Sequence, residues 1–277
     1  MNGLSVVNIE LTSRCNKVCH MCGRRKIERE HPELAKWGDM DYGLVKEIAS
    51  QVPTGIVIQF HNNGEPLLYP HLQEALHLFP NNIRCFDTNG KILAEKANEI
   101  IGNLEVLTLS VIPQPPRMPH ETDEMYQAAM NYWTIESVNQ RDQLFKFLIK
   151  KGDEKPMMVY RLLGDIDEMY WKKFPGIICK RTLHSPMGSY NYQTRRVIPE
   201  IGICLDLLNH MAIDRYGNVS YCVRFDPKGE AIIGHVKDGL EKCWNGAKRK
   251  KVLKAHIDGK RESIPFCAKC HYWGVPG

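Results

Sequence analysis

Short apolar segments alternate with amphipathic segments over the first two thirds of the chain. Continuous apolar runs of this length are typical of buried strands, and they cover residues 6–11, 55–60, 83–86, 104–111, 156–163 and 176–179. Between them, apolar residues recur at helical spacing in the runs that begin at Leu44, Leu72 and Leu93. Residues 121–151 carry a weaker helical pattern. Buried strands that alternate with amphipathic helices predict an α/β fold with a parallel sheet and helical crossovers.

The pattern changes towards the C-terminus. Gly217 and Asn218 separate two short apolar segments, residues 211–216 and 219–225, and such a pair predicts a β-hairpin. A following helix is expected to carry one apolar face, formed by Leu240, Cys243, Trp244 and Ala247. We therefore expect a second, smaller domain that begins near residue 190.

Composition and charge exclude some functions. The chain has 277 residues, of which 43% are hydrophobic and 25% charged, as in ordinary globular proteins. The 37 Lys and Arg against 32 Asp and Glu give a scattered net charge of +5, so no clear nucleic-acid surface is expected. The densest basic run, residues 248–251, is interpreted as a solvated helix face. Without a signal sequence or an apolar run of about 18 residues, we expect a cytoplasmic protein without a membrane partner.

Ten cysteines are therefore expected in a reducing compartment, where spaced cysteines are more often metal ligands than disulfides. Cys15, Cys19 and Cys22 follow the first predicted strand with the spacing C-x3-C-x2-C. Thiolates suit iron–sulfur clusters or zinc. A closed zinc site takes four ligands, and His20 is the nearby fourth candidate, although its place between two ligands is awkward. Three thiolates on a four-iron cluster would instead leave one iron open to a substrate.

The cysteine spacing after a first strand resembles the radical S-adenosylmethionine (SAM) superfamily. Two further motifs carry the resemblance: Asn63-Gly64-Glu65-Pro66 after the second strand and Thr88-Asn89-Gly90 after the third. The resemblance implies that Cys15, Cys19 and Cys22 hold a [4Fe–4S] cluster that binds SAM. It also implies a set of SAM contacts at the strand ends: Met21, Asn63, Gly64, Glu65, Pro66, Thr88, Asn89, Ser110 and Arg161.

These implied contacts have distinct roles in the superfamily. The motif around Glu65 holds the amino group of SAM, Ser110 is expected at its ribose or carboxylate, and Arg161 at its carboxylate. Met21 departs from the aromatic residue that usually precedes the last cysteine. A polarizable methionine can also pack near adenine.

A second cysteine set lies near the C-terminus. Cys204, Cys222, Cys267 and Cys270 form C-x12-G-x4-C, then 44 residues, then C-x2-C. Four thiolates complete the ligands of a four-iron cluster, and a structural zinc site is the alternative. The arrangement resembles the auxiliary-cluster domains of radical SAM enzymes. Since no cysteine follows Cys270, the shorter Twitch form fits better than the seven-cysteine SPASM form. The other cysteines, Cys85, Cys179 and Cys243, are expected to be buried without a role.

The resemblance implies a partial (β/α)6 TIM-like barrel over residues 4–190 and a Twitch/SPASM-like domain with a second [4Fe–4S] cluster over residues 191–277. It further implies reductive cleavage of SAM to a 5'-deoxyadenosyl radical that abstracts hydrogen from a substrate. An electron donor such as flavodoxin or ferredoxin is implied as a partner.

Three functions remain open at this point. The first is an enzyme that acts on a small polar molecule, such as a sugar or an aminocyclitol, and oxidises an alcohol as a related dehydrogenase does. The second is a peptide-modifying maturase. Because the chain begins at the first strand, without room for a leader-binding domain, the small molecule is favoured. The third is a non-catalytic iron–sulfur or zinc protein, against which the SAM-binding motif argues.

Overall fold

A computed structural model describes residues 1–115, 117, 120–181, 198–223, 226–270 and 272–274. Six strands lie side by side in chain order and pair in parallel. They are β1 (Val6–Ile9), β2 (Val57–Gln59), β3 (Ile83–Thr88), β4 (Val106–Val111), β5 (Met157–Leu163) and β6 (Ile177–Arg181). The predicted parallel α/β fold is confirmed. The proposed domain boundary near residue 190 lies outside the described residues.

Helices connect these strands. They are α1 (Gly23–Glu30), α2 (Tyr42–Ala49), α3 (Leu72–His77), α4 (Ala97–Ile100), α5 (Asp123–Lys151) and α6 (Glu168–Trp171). The start of α2 is capped by Asp41, whose carboxylate accepts a hydrogen bond from the Leu44 amide at 3.2 Å. The apolar faces of α2 and α3 are fully buried against the sheet and form much of the main core.

Helix α5 spans 29 residues, and its buried face is partly polar. That face consists of Trp133, Glu136, Gln140, Leu144 and Phe147. Two polar residues on an inward face explain why the helical pattern of this segment is weak in the sequence. In the part of the chain that the structure describes, no helix is long and apolar enough to cross a membrane.

The C-terminal region extends the same sheet. Its elements are α7 (Leu205–Asn209), β7 (His210–Ile213), β8 (Asn218–Ser220), β9 (Ile232–His235), α8 (Leu240–Trp244), α9 (Ala247–Ile257) and α10 (Pro265–Ala268). Strand β7 pairs in parallel with β1, and β8 and β9 continue antiparallel, so the sheet has nine strands. The expected hairpin turns at Gly217, whose φ is +88°. This pairing places the second cysteine set beside the first edge of the barrel.

Three expectations for this chain are wrong in detail. The single helical face that begins at Leu240 is divided between α8 and α9, because the chain turns at Asn245 and Gly246. The basic run of residues 248–251 is not wholly solvated, since Arg249 is buried and donates to the Leu207 carbonyl at 2.7 Å. Cys179 is exposed rather than buried, whereas Cys243 is buried as expected.

Candidate functional site

The first cysteine set lies in the loop between β1 and α1. Cys15, Cys19 and Cys22 are all half-buried. The Cys22 amide donates to the Cys19 carbonyl at 3.1 Å, and this turn of the backbone brings the two cysteines close to each other. Burial raises the pKa of Cys19 to about 12, and burial also raises the pKa of Cys22. Thiolates at these positions therefore need a strong nearby positive charge. Iron ions supply that charge, so the donor set fits an iron–sulfur cluster.

The loop after β2 packs directly against this cysteine loop. A Cβ atom on Gly64 would lie 1.9 Å from the Thr12 carbonyl oxygen, so only glycine fits. The next amide, of Glu65, donates to the Arg14 carbonyl at 2.8 Å. Asn63 is held from the other side, because its backbone amide and side-chain amide contact the Glu10 carboxylate at 3.3 and 3.4 Å. The predicted SAM-binding motif thus lies against the three cysteines.

Glu65 joins two of the predicted SAM-binding loops. It is 2% exposed, and its carboxylate accepts hydrogen bonds from the Thr88 hydroxyl at 2.7 Å and the Asn89 amide at 2.8 Å. The amide of Leu67 donates to the same carboxylate at 3.2 Å. Burial raises the pKa of Glu65 to about 7. Both carboxylate oxygens have protein partners, so direct contact with the SAM amino group stays a prediction, and the structure shows a positioning contact.

The loop after β3 reaches the cysteine loop through Asn89. Its side-chain amide lies 3.7 Å from Cys15 Sγ and donates to the Asn16 side chain at 2.9 Å. Gln140 of α5 donates to the carbonyls of Asn89 at 2.7 Å and of Ser110 at 3.0 Å. The structure therefore brings the ends of β3 and β4 together beside Cys15. Met21 is half-buried in the cysteine loop, and Pro66 is buried at the start of a short 3-10 turn.

Buried charged side chains lie beside the cysteine loop, and they were not identified from the sequence. The polar residues of α5 are the feature of the sequence that could have indicated them. Lys17 is 6% exposed, and its ammonium lies 5.3 Å from the centroid of the Trp133 ring. Burial lowers the pKa of Lys17, and Cys19 and Glu136 oppose that shift. Glu136 pairs with Lys91 at 2.9 Å through Oε1. Its Oε2 is buried and, among the described residues, accepts no hydrogen bond.

Arg161 lies in the wall of a polar cavity of about 490 Å³. It pairs with Asp87, whose backbone amide donates to His61 Nδ1 at 3.1 Å and whose carboxylate lies 3.3 Å from His61 Nε2. The walls come from the barrel strands and from α7 and β7, and the polar side chains include Asn8, His61, Asp87, Arg161, Arg181 and His210. The prediction that Arg161 contacts the SAM carboxylate is not tested by this pairing and stays a prediction.

The second cysteine set surrounds one cavity. Cys204 caps α7, Cys222 follows β8, and Cys267 and Cys270 lie at α10 and just after it. All four line one cavity, whose other walls include Leu207, Tyr221 and Phe266. Within the described ranges, no three His, Cys, Asp or Glu side chains are placed to hold a single metal ion. Four thiols around a cavity fit a cluster of several irons.

Two residues, Asp206 and Tyr272, line both cavities. The amide of Tyr272 also donates to Cys270 Sγ at 3.3 Å. The Asp206 carboxylate lies 3.4 Å from His210 Nδ1 in the polar cavity. The polar cavity of the barrel and the four-cysteine cavity therefore share a wall.

Comparison with known proteins agrees with this geometry. The SPASM iron–sulfur cluster-binding domain family matches residues 204–271, which contain all four cysteines. A cofactor-modifying protein for the tungsten-containing aldehyde ferredoxin oxidoreductase of Pyrococcus furiosus is 30% identical over 114 residues, which are 38% of this chain and 30% of that protein. The FeMo cofactor biosynthesis protein NifB of Methanocaldococcus infernus is 28% identical over 117 residues, 38% of each chain. The chain thus aligns with less than half the length of these relatives.

Solved structures share the fold. BtrN in complex with AdoMet and 2-DOIA has a TM-score of 0.60 and 19% identity, over 95% of this chain and 91% of that chain. Native anSMEcpe with AdoMet and the Kp18Cys peptide has a TM-score of 0.58 and 14% identity, over 92% and 83%. Streptococcus suis SuiB bound to the precursor peptide SuiA has a TM-score of 0.50 and 13% identity, over 94% and 67%. This chain therefore has the fold of these AdoMet-binding structures, and its residues 204–271 form a domain of the SPASM iron–sulfur cluster-binding family.

Proposed function

We propose that this chain is a SAM-cleaving enzyme that removes a hydrogen atom from a small polar substrate and oxidises an alcohol. In this proposal Cys15, Cys19 and Cys22 hold the [4Fe–4S] cluster that binds SAM, and the four C-terminal cysteines hold a second one. The observation that carries the proposal is the polar cavity of about 490 Å³, which shares a wall with the four-cysteine cavity.

The amino-acid part of SAM carries one ammonium and one carboxylate group. Beside the cysteine loop, Lys17 offers a buried cation, and Glu136 offers a buried carboxylate oxygen without a hydrogen-bond partner among the described residues. Charge-assisted hydrogen bonds to such groups are strong where water is excluded. We therefore assign the head group of SAM to this pair, while Glu65 positions the surrounding loops.

Bound to the reduced cluster, SAM supplies a 5'-deoxyadenosyl radical that removes one hydrogen atom from the substrate. The chain's own residues bind and orient that substrate. The cavity carries cations and carboxylates from several strands, and polar groups placed this way suit a molecule with several hydroxyl or amino groups better than an apolar one. Burial of Asn8 and the ion pair of Arg161 with Asp87 hold the walls rigid.

Oxidation of an alcohol then requires the loss of one proton and one electron from the substrate radical. His210 supports the proton step: its Nδ1 lies 3.4 Å from the Asp206 carboxylate, and its Nε2 is buried without a hydrogen-bond partner among the described residues. The proton passes from the substrate hydroxyl to Nε2. A cluster held by Cys204, Cys222, Cys267 and Cys270 would accept the electron across the shared wall. The products are a ketone, 5'-deoxyadenosine and methionine.

The test begins with protein reconstituted and kept under anaerobic conditions, with dithionite in place of the flavodoxin or ferredoxin donor. SAM and dithionite should give 5'-deoxyadenosine, measured by liquid chromatography. Aminocyclitols, hexoses, hexosamines and short peptides are then added in turn. A product two hydrogens lighter than its sugar or aminocyclitol substrate, with one 5'-deoxyadenosine per product, supports the proposal. A modified peptide, as the peptide-bound anSMEcpe and SuiB structures suggest, or a product of unchanged mass, contradicts it.

A further inference from the structure

His256 is a buried histidine in the wall of the four-cysteine cavity. It lies near the end of α9 and is 2% exposed. Its ring contacts the edge of Trp273, with the centroids 6.2 Å apart and the planes at 68°. Packing on all sides fixes the orientation of the ring, so its two nitrogens have defined and different surroundings.

The first nitrogen is an acceptor. The backbone amide of Cys204 donates to His256 Nδ1 at 3.4 Å. A ring nitrogen that accepts a hydrogen bond carries no proton, so the neutral ring must carry its proton on Nε2. The contact with the backbone therefore sets the tautomer, and Nε2 is an N–H donor.

The second nitrogen has no acceptor within the described part of the chain, although it is fully buried. A buried donor without an acceptor destabilises a fold, so native proteins rarely keep one without a reason. The wall is apolar at Leu207 and Phe266, and the Asp206 carboxylate in the wall pairs with His210 instead. The thiolates and sulfides of a bound cluster are the acceptors that this cavity would offer.

We propose that His256 donates a hydrogen bond from Nε2 to a sulfur atom of the auxiliary cluster and thereby raises the reduction potential of that cluster. Reduction adds negative charge that is spread onto the sulfur atoms. A donor aimed at a sulfur stabilises the reduced form more than the oxidised form, and so the cluster becomes a better electron acceptor. The inference rests on the proposed function in one respect, the assignment of a cluster to Cys204, Cys222, Cys267 and Cys270.

Arg261 acts on the same cavity through its charge. Its side chain is 5% exposed, lies over the Trp273 ring at 3.9 Å, and donates to the carbonyls of Cys270 and Tyr272 at 3.0 Å each. A fixed cation also favours the reduced cluster. The hydrogen bond of His256 is a separate contribution from a neutral ring, whereas the charged Arg261 also donates to the side chain of Cys267.

The experiment isolates the auxiliary cluster. In a background with Cys15→Ala, Cys19→Ala and Cys22→Ala, the remaining cluster is titrated with redox mediators and followed by electron paramagnetic resonance. His256→Phe keeps a ring but loses the donor, and His256→Gln keeps an N–H donor. We expect His256→Phe to lower the equilibrium constant for one-electron reduction of the cluster about tenfold, which lowers its reduction potential by about 59 mV. His256→Gln should stay closer to the unsubstituted background, and His77→Phe, an exposed histidine on α3, should have no effect.

A second measurement does not depend on the variants. Pulsed electron paramagnetic resonance of the reduced auxiliary cluster should show an exchangeable proton coupled to the cluster. This coupling should vanish in D2O and in His256→Phe. An unchanged or higher potential in His256→Phe with full iron content overturns the inference alone. Absence of the exchangeable coupling in the unsubstituted background does the same. Absence of iron from that background overturns the cluster assignment and the inference together.

Discussion

The two cysteine sets differ in how they are built and in what surrounds them. The first set lies on one loop, within eight residues, and touches buried charged and polar side chains such as Lys17, Glu136 and Asn89. The second set comes from three separate segments and encloses a cavity with mostly apolar walls. One chain thus uses the same side-chain chemistry in two electrostatic environments.

The difference indicates that the two cysteine sets have different functions. Three thiolates leave a four-iron cluster with an open position, and the buried charges of Lys17 and Glu136 beside it suit the binding of a zwitterionic ligand there. Four thiolates leave no open position, and a largely apolar wall with the buried donors of His256 and Arg261 suits electron transfer. We infer that the number of cysteines decides whether a cluster has an open iron position. The residues around the cysteines decide whether the site binds a ligand or transfers electrons. Four predictions test this comparison.

The largest effect is expected from removing the first set. Cys15→Ala, Cys19→Ala and Cys22→Ala together should lower the iron content from about eight to about four per chain and abolish the formation of 5'-deoxyadenosine, because the open cluster is lost and the closed one is kept. Iron analysis and chromatography measure both. Cys179→Ser, at an exposed cysteine, is the control and should change neither. Full iron content in the triple variant would show that these cysteines hold no cluster.

Gly64→Ala should separate the two sites without touching a cysteine. The added methyl group would lie 1.9 Å from the Thr12 carbonyl oxygen and 2.9 Å from that of Arg14, so the cysteine loop must move. We expect a destabilisation on the order of 3 kcal/mol, with loss of the first cluster and retention of the second, measured by iron content and resonance spectra. Retention of both clusters with normal SAM cleavage would mean that the two loops do not depend on each other.

Glu65→Gln should weaken SAM binding about tenfold to a hundredfold and leave the iron content intact. This is the range for residues that contact and orient the residues of a metal site without binding the metal. The amide cannot accept from Thr88, Leu67 and Asn89 as a carboxylate does, so the loops after β2 and β3 separate. Equilibrium binding of SAM to the anaerobic protein measures it. The control is Glu95→Gln, at an exposed glutamate. An unchanged affinity would remove Glu65 from the site.

The smallest effect concerns Glu10, which connects the two regions. Its carboxylate accepts from the Arg215 amide of the C-terminal hairpin at 3.3 Å and from the Asn63 amide of the loop after β2, also at 3.3 Å. Burial raises the pKa of Glu10 from 4.5 to about 7. The folded state therefore binds a proton that the unfolded chain has already lost, and stability falls as the pH rises from about 4.5 to about 7.

Between pH 6 and pH 8 this group should lower the free energy of unfolding by about 1.4 kcal/mol. Glu10→Gln should remove that part of the pH dependence, measured by anaerobic denaturant unfolding at both values. Glu95→Gln should retain the dependence. If the free energy of unfolding changes equally with pH in the unsubstituted protein and in Glu10→Gln, the Glu10 carboxylate stays ionised in the folded state.

Much of the fold could be predicted because its signals are local. Strands β1 to β6 are short apolar runs, and the turn of the C-terminal hairpin is marked by Gly217 and Asn218. One error arose where a distant segment covers a residue. Arg249 lies in a basic run typical of a solvated helix, but its guanidinium lies 3.3 Å from the Trp244 ring centroid and reaches the carbonyls of α7. Neither contact follows from helical periodicity.

The sequence by itself determined the ligand types and their spacing: the three clustered cysteines, the C-terminal cysteine set, and the glycine that lets two loops touch. Such features are carried by a few adjacent residues, so they can be recognised without a fold. Only the tertiary structure decided which charges and donors surround them. Glu136 meets Lys91 from a helix 45 positions away, and His256 meets Cys204 from 52 positions away. Burial and hydrogen-bond partners depend on contacts across such distances, and these properties turn a cysteine motif into a particular chemical site.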